Sequence, residues 1–289
     1  MNKKTKSKKN IKSQQPRIID LSLPIEDDID NTFPTYIERL NHSDGADYLG
    51  WVVAKSKGRP FLDRMKNIIN YYLGTRRITR SDMPDNMFIS HETVTASVHM
   101  GTHIDAPFHF GPICEGKEAK DIEDVPLEWC FSNGVVLDML HKKNGDAITV
   151  KDIESALKKI RYKIKPMDIV LIMTGADKYN GTKRYLTDFP GVSREATEWL
   201  INKGVKIIGV DFLGFDRPYP YMIGDYFRTK DNSHLWPSHL FGRKKEYCHI
   251  ERLANLDKIP KAHGFKVACF PIKIKKVGAS WARVVAIIT

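Results

Sequence analysis

The stretch SVHMGTHIDAPFHF, residues 97–110, places four potential metal ligands within eleven residues. They are His99, His103, Asp105 and His109. All four are odd-numbered, and residues of one parity point to one face of an extended backbone. A helix is disfavoured, because Gly101 and Pro107 both destabilise a helix interior.

A straight strand alone does not bring these side chains together. At about 3.3 Å per residue, His99 and Asp105 would lie roughly 20 Å apart, too far to share an ion. We therefore predict a strand that bends sharply at Gly101 and Pro107, the two residues that permit bending. Neutral imidazoles together with a carboxylate suit zinc or manganese. The alternative is an ordinary strand with polar residues on its solvent face, which four ligands in so short a stretch disfavour.

The pattern HxGTHxDxPxH at positions 99–109 resembles the signature of the metal-dependent family called putative cyclases. That family includes bacterial kynurenine formamidases, isatin hydrolases and some aromatic polyketide cyclases, and the resemblance extends from about Ile18 to the C-terminus. It implies that His99, His103 and Asp105 are metal ligands and that His109 is the catalytic acid/base. It also implies an α/β fold with one domain of the swivelling β/β/α type, in which helices pack a barrel-like sheet.

The resemblance implies further ligands from the region 232–256. The family has a histidine there, followed twelve positions later by an acidic or amide residue, and His239 with Glu251 matches this spacing. His234 with Glu246 has the same spacing, and His249 is another local candidate. The acidic-x-Leu element of the family favours Glu251, so we expect His239 and Glu251 to complete the metal site.

The number of ions is left open by this ligand set. Asp105 and Glu251 would allow two bridging carboxylates and hence two divalent ions, zinc first and manganese second. Some relatives carry Gln at the position of Glu251, so a single ion remains an alternative. Asp211 and Asp216 follow a buried strand and are candidates for orienting the ligands, or simply for a turn or a helix cap.

The activity that the resemblance implies is hydrolysis of an amide-type C–N bond in an aromatic formamide or lactam, as in kynurenine formamidases (arylformamidases). A metal-activated water would attack the carbonyl group, and His109 would transfer the proton to the departing nitrogen. Ring closure of the polyketide-cyclase type, or lactone hydrolysis, is the alternative at the same site. We expect a small aromatic or carbonyl substrate, and a homodimer or homotetramer.

The composition is that of an ordinary globular protein, with 42% hydrophobic and 28% charged residues among 289. No apolar run approaches the ~20 residues that cross a bilayer, so we expect no membrane partner. The four cysteines are widely separated, which indicates reduced, mostly buried thiols in a cytoplasmic protein.

The net charge of +11 is concentrated at the N-terminus. Residues 1–17 hold seven basic and no acidic residues, which leaves +4 for the other 272. We therefore predict a disordered basic tail over 1–16 and a catalytic domain over 17–289. The tail lacks the apolar core of a secretory signal. Nucleic acid is not expected as a partner; a non-catalytic basic binding protein is the alternative from another class, and the complete ligand set argues against it.

Strand and helix signals alternate along the chain. Helices are predicted over 58–73, 150–160 and 193–201, and strands over 17–23, 89–98, 134–139, 168–174, 205–211, 265–270 and 281–288. The run 168–174 is apolar almost throughout, as expected for a strand buried on both faces. This alternation predicts the α/β class.

Overall fold

The computed structural model describes residues 15–28, 34–56 and 60–288. They form two compact units, one containing the chain up to Ile25 and from Val98 onward, the other Glu26–Ser97. The predicted basic tail, residues 1–16, lies outside the described residues except for positions 15 and 16. The boundaries of the tail and of the catalytic domain therefore stay predictions.

The strands are, in chain order, β1 (Arg17–Asp20), β2 (Tyr36–Leu40), β3 (His91–Thr95), β4 (His103–Asp105), β5 (Ile113–Cys114), β6 (Lys117–Glu118), β7 (Phe131–Asp138), β8 (Ala147–Ile148), β9 (Ile169–Met173), β10 (Gly191–Val192), β11 (Ile207–Val210), β12 (Cys248–Glu251), β13 (His263–Ala268), β14 (Ala279–Trp281) and β15 (Val285–Ile288). The α-helices are α1 (His42–Lys55), α2 (Phe61–Tyr72), α3 (Pro107–Phe110), α4 (Val150–Lys159), α5 (Arg194–Asn202), α6 (Tyr219–Thr229) and α7 (Pro237–Phe241).

The larger unit is built on a nine-stranded sheet with the order β1-β15-β13-β7-β9-β11-β12-β4-β14. The four strands β7, β9, β11 and β12 are parallel, and antiparallel strands extend the sheet on both sides. Helix α4 lies between β7 and β9 in the chain, and α5 between β9 and β11, which is the βαβ arrangement of parallel sheets. The predicted α/β fold, with a curled, barrel-like sheet packed by helices, is confirmed.

The central strands are buried on both faces, as the apolar run 168–174 predicts. Val170 and Ile172 belong to the core cluster that contains the buried residues of α4 and α5. Ile169 and Leu171 point the other way, into a second cluster shared with β4 and β12. Full burial of each such side chain contributes about 1.5–3 kcal/mol, so both faces select apolar residues.

Two predicted helices begin where their capping residues indicate. Thr149 precedes α4 and forms a capping box with Asp152, whose carboxylate accepts a hydrogen bond from the Thr149 amide at 2.8 Å. Ser193 precedes α5, and its hydroxyl accepts a hydrogen bond from the amide of Ala196 at 3.1 Å. Each cap satisfies an amide that the first helical turn leaves without an intrahelical partner.

The smaller unit contains α1, α2 and the antiparallel pair of strands β2 and β3. The predicted helix over 58–73 and strand over 89–98 correspond to α2 and β3. Helix α1 was not predicted, because its buried residues are only glycine and alanine and give no periodic pattern of large apolar residues. Throughout the described ranges, no helix is long and apolar enough to span a bilayer. All four cysteines are buried free thiols.

Candidate metal centre

Adjacent strands β4 and β12 supply the buried half of the site. In β4, His103 and Asp105 lie on either side of Ile104, which points into the opposite core cluster. The antiparallel pairing sets Asp105 opposite His249 and His103 opposite Glu251. Because side chains alternate along a strand, these four residues lie on one face of the sheet.

The chain bends before β4, as predicted. Gly101 adopts a left-handed φ of +62°, a conformation that glycine reaches without strain. The bend brings Nδ1 of His99 to 3.0 Å from Oδ1 of Asp105. The carbonyl oxygen of Gly101 lies 2.9 Å from Nδ1 of His103, which leaves Nε2 of that ring facing the site.

The second bend is also present, because Pro107 begins the short helix α3 that carries His109. Nε2 of His109 lies 3.8 Å from Oδ2 of Asp105, and its side chain remains 31% exposed. One part of the prediction is wrong. Strand β4 has only three residues, so parity explains His103 and Asp105, whereas His99 and His109 reach the site from a turn and a helix.

Helix α7 supplies His239 from the other side. Its Nδ1 lies 2.6 Å from Oδ2 of Asp216, and the amides of Ser238 and His239 donate to the same carboxylate at 2.8 and 3.1 Å. Nε2 of His239 is thereby directed to the site, 3.6 Å from Oε1 of Glu251. Asp216 therefore orients His239. Asp211 instead accepts hydrogen bonds at the end of β9, from Thr174 and Gly175.

The structure distinguishes the pair His239 and Glu251 from the alternative pair with the same spacing. Glu246 forms an ion pair with Lys120, and His234 ends a 3-10 turn, Asn232–His234. Within the described chain, neither belongs to a group of side chains that could share an ion.

The third candidate of that region, His249, does lie in the site. It is fully buried, with Nε2 2.7 Å from Oδ2 of Asp105 and 3.2 Å from Oε1 of Glu251. The expected ligand set omits it. The signal that could have found it is its spacing of two residues from Glu251 in an extended, largely apolar stretch.

The two carboxylates are ionised at neutral pH although both are buried. Burial by itself raises the pKa of Asp105, but the charges of the surrounding histidines and their hydrogen bonds outweigh it and hold that pKa well below its usual value. Burial also opposes ionisation of Glu251, and the hydrogen bond from His249 is the largest of the effects that lower its pKa to about 2. Two buried anionic groups require compensating positive charge.

The histidines differ in their protonation. Burial lowers the pKa of His103, and it lowers that of His109 to about 4, because the charged ring loses its hydration. For His99, burial acts in the same direction, but the hydrogen bond and charge of Asp105 outweigh it and raise the pKa. For His249, hydrogen bonds to the two carboxylates likewise overcome burial and raise the pKa to about 9.

The residues present fit a divalent ion. Their ligand atoms form two groups, each within 4.8 Å: Asp105, His239, His249 and Glu251 in one, and His99, Asp105 and His109 in the other. Nε2 of His103 is buried and has no hydrogen-bond partner among the residues that the structure describes, as expected of an atom that ligates an ion. Imidazole and carboxylate together are the donors of zinc and manganese sites.

Known proteins resemble this chain in sequence. A model of the family described as "Putative cyclase" matches residues 19–217. A kynurenine formamidase of Bacillus cytotoxicus is 28% identical over 123 residues, which are 43% of this chain and 51% of that protein. The chain thus spans about half the length of the curated relatives it matches.

Solved structures resemble nearly the whole chain. Isatin hydrolase A from Labrenzia aggregata, bound to benzyl benzoate, has a TM-score of 0.64 and 21% identity, and the match covers 95% of this chain and 94% of that one. A potential metal-dependent hydrolase with cyclase activity has a TM-score of 0.56 and 20% identity, covering 95% and 98%. At these identities the likeness shows a shared fold.

Proposed function

This chain belongs to the putative cyclase family, and we propose that it is a metal-dependent hydrolase that cleaves an amide-type C–N bond in an aromatic formamide or lactam. One observation carries the proposal. The side chains that the sequence selects, from a turn, β4, α3, α7 and β12, converge on the carboxylates of Asp105 and Glu251, with the contacts given above. A non-catalytic basic binding protein has no need of such a convergence.

We propose that the ion is zinc, or manganese as the second choice. It would be held by His99, His103, Asp105, His239 and Glu251. A divalent ion in such a site acts as a Lewis acid and lowers the pKa of a bound water. The protein contributes the orientation of the ligands. The carbonyl oxygen of Gly101 fixes the ring of His103, and the carboxylate of Asp216 fixes the ring of His239.

His109 is proposed as the acid/base. Its ring lies beside that of His99, with centroids 4.4 Å apart, and it is more exposed than the buried ligand His103. A low pKa keeps the ring of His109 neutral near neutral pH, so that its unprotonated nitrogen can accept a proton from an attacking water. The same atom would then donate that proton to the departing nitrogen. Proton transfer by a positioned side chain typically raises the rate by about 10²–10⁴-fold.

The substrate class rests on the similar proteins, one of which is named a kynurenine formamidase and another an isatin hydrolase. An aryl formamide such as N-formylkynurenine is therefore the first substrate to test, followed by an aromatic lactam. Ring closure is the second candidate, because the family is described as a cyclase family and the same His109 could remove an acidic carbon-bound proton.

The experiment is elemental analysis of the purified protein, followed by an assay of formamides, lactams and lactones with added zinc or manganese. We expect a bound divalent ion and hydrolysis of at least one aryl formamide or lactam. Chelation should abolish turnover, and metal addition should restore it. A protein that stays metal-free after loading would contradict the proposal. A metal-loaded protein that hydrolyses none of these compounds would contradict the hydrolase assignment alone.

The expected homodimer or homotetramer also stays a proposal. Light scattering coupled to size-exclusion chromatography would determine the mass in solution. A monomer at assay concentration would contradict it without bearing on the metal site.

A further inference from the structure

An arginine and two tyrosines lie at the edge of the sheet where the metal centre is found. Strands β9, β11 and β12 are parallel neighbours, so their carboxyl ends meet at one edge. Tyr185 lies in the segment after β9, Tyr219 begins α6 after β11, and Arg252 directly follows Glu251, the last residue of β12. In α/β proteins, ligands commonly bind outside the carboxyl ends of the strands.

The backbone of Arg252 ends the alternation of side chains along β12. Its φ is +58°, in the left-handed region, and its amide donates a hydrogen bond to the carbonyl oxygen of Phe212 at 3.1 Å. A residue with a β-carbon persists in this region only where the surrounding structure holds it. The guanidinium extends over the ring of Tyr185, with Cζ 5.9 Å from the ring centroid. Arg252 is therefore directed towards the segment that follows β9.

The guanidinium of Arg252 has no counter-ion within the described chain. The residue is half-buried, its Nε is shielded from solvent without a hydrogen-bond partner, and no described carboxylate forms an ion pair with it. Arg217, also half-buried, instead forms an ion pair with Asp225 at 2.7 Å. A cationic group that is partly withdrawn from water requires a compensating anion, so the surroundings of Arg252 favour a negatively charged ligand.

Tyr185 offers a second donor at the same place. The residue is 4% exposed, and its hydroxyl has no hydrogen-bond partner among the described residues. Burial raises the pKa of this hydroxyl, the charge of Arg252 opposes the rise, and the charges of Asp211 and Glu251 add to it. The hydroxyl therefore stays protonated near neutral pH and can donate a hydrogen bond.

Aromatic surface adjoins these two donors. Burial raises the pKa of Tyr219, and the charge of Glu251 adds to the rise while that of Arg252 opposes it, so this ring lies within reach of both charges. Tyr219 is 53% exposed, and the ring of Trp236 meets it edge-on with centroids 5.5 Å apart. Such surface suits an aromatic ring that carries an anionic group.

We propose that Arg252 and the hydroxyl of Tyr185 form a subsite for a carboxylate of the substrate, so that the enzyme prefers aryl formamides that carry a carboxylate to uncharged ones. The inference rests on the proposed function, since it names the substrate class of the same metal centre. The planar fork of N–H groups on a guanidinium fits the two oxygens of a carboxylate, and the phenol adds one further donor.

The test uses N-formylanthranilate and formanilide, which share an aryl formamide and differ by one carboxylate. Binding to metal-free protein is measured by calorimetric titration near neutral pH, and turnover is measured on metal-loaded protein. Arg252→Met and Tyr185→Phe each remove one donor. Arg184→Met is the matched control, because Arg184 lies over the ring of Tyr179 at 3.8 Å but already pairs with Asp188.

We expect wild type and the control to bind N-formylanthranilate about tenfold or more tightly than formanilide. Arg252→Met should weaken the binding of N-formylanthranilate by about 10–100-fold, and Tyr185→Phe by about tenfold, because each removes a hydrogen bond to a charged group. The ratio of the kcat/KM values for the two substrates should fall by the same factors, mainly through KM.

Two results would overturn this inference and leave the proposed function intact. One is an Arg252→Met protein that keeps the wild-type preference; the other is an equal loss for both compounds, which would mean that the arginine only supports β12. If thermal unfolding shows that Arg252→Met does not fold, Tyr185→Phe decides, since it removes one oxygen atom. A wild type that binds N-formylanthranilate through Arg252 but hydrolyses neither compound would support the subsite and contradict the hydrolase assignment.

Discussion

Oδ2 of Asp216 lies 2.6 Å from Nδ1 of His239, and the same carboxylate accepts hydrogen bonds from the amides of Ser238 and His239. One buried side chain thus fixes the first turn of α7 and the ring orientation of a proposed ligand. Because a carboxylate partner also sets which ring nitrogen carries the proton, it determines whether Nε2 of His239 can bind an ion.

We predict that Asp216→Asn weakens metal binding by about 10–100-fold, because an amide cannot accept hydrogen bonds through both of its terminal atoms. The measurement is a zinc titration of metal-free protein. Asp225→Asn is the control, since that carboxylate pairs with Arg217 and Arg228 outside the site. Equal affinities for the two variants would show that Asp216 only caps α7.

His109→Ala should keep its metal and lose most of its rate. Removal of a general acid/base typically costs ~10²–10⁴-fold, whereas loss of a ligand removes metal and rate together. His99→Ala and His103→Ala are therefore expected to lose both. Bound metal and turnover are measured in parallel on the three variants. A His109→Ala protein that is metal-free, or that works at nearly the wild-type rate, would refute the assigned role.

A chain that begins at Gln15 should fold and retain its turnover. The first strand, β1, starts at Arg17 and pairs with β15 through Arg17 and Ile288, so the truncation leaves that pairing intact. Thermal unfolding and the turnover of the truncated and full-length proteins are compared. Loss of folding, or of most activity, would assign the basic residues a role in the site or in an oligomer.

The raised pKa of Asp211 predicts that the stability of the fold depends on pH. Burial raises its pKa from 3.8 to about 7, against the hydrogen bonds from Thr174 and Gly175. Between these values the folded state binds more protons than the unfolded one, so the contribution of Asp211 to stability falls as pH rises through the window. In the variant Asp211→Asn, the side chain at this position has no titratable group. The free energy of unfolding of wild type relative to this variant should therefore decrease by about 1–4 kcal/mol between pH 4 and pH 8.

Denaturant titrations of metal-free wild type and Asp211→Asn at several pH values would measure this difference. Comparing the two proteins cancels the titration of the metal-site histidines and carboxylates, which both share. A difference that is constant across the range, or that grows with pH, would show that Asp211 is ionised in the folded protein throughout.

Local sequence accounted for the elements whose signals lie within a few residues. Thr149 and Ser193 mark the starts of α4 and α5, and the apolar run 168–174 marks a strand buried on both faces. Helix α1 escaped prediction because its buried side is made of small residues, which pack closely but give no apolar period. The short strands β4 and β12 have too few residues to show a period.

The residue types at 99–109 determined by themselves that the chain has a candidate metal site and where it bends, since Gly101 reaches a left-handed φ without strain and Pro107 has a fixed φ that suits the start of a helix. Which distant residues complete the site was decided by tertiary structure. The pairing of β12 with β4 brings His249 beside Asp105, which is 144 positions away in the chain. The contact of Asp216 with His239 directs that ring to the site, whereas Glu246 forms an ion pair with Lys120 elsewhere. Spacing along a chain cannot express such contacts, because strand register and hydrogen-bond partners exist only once the sheet has formed.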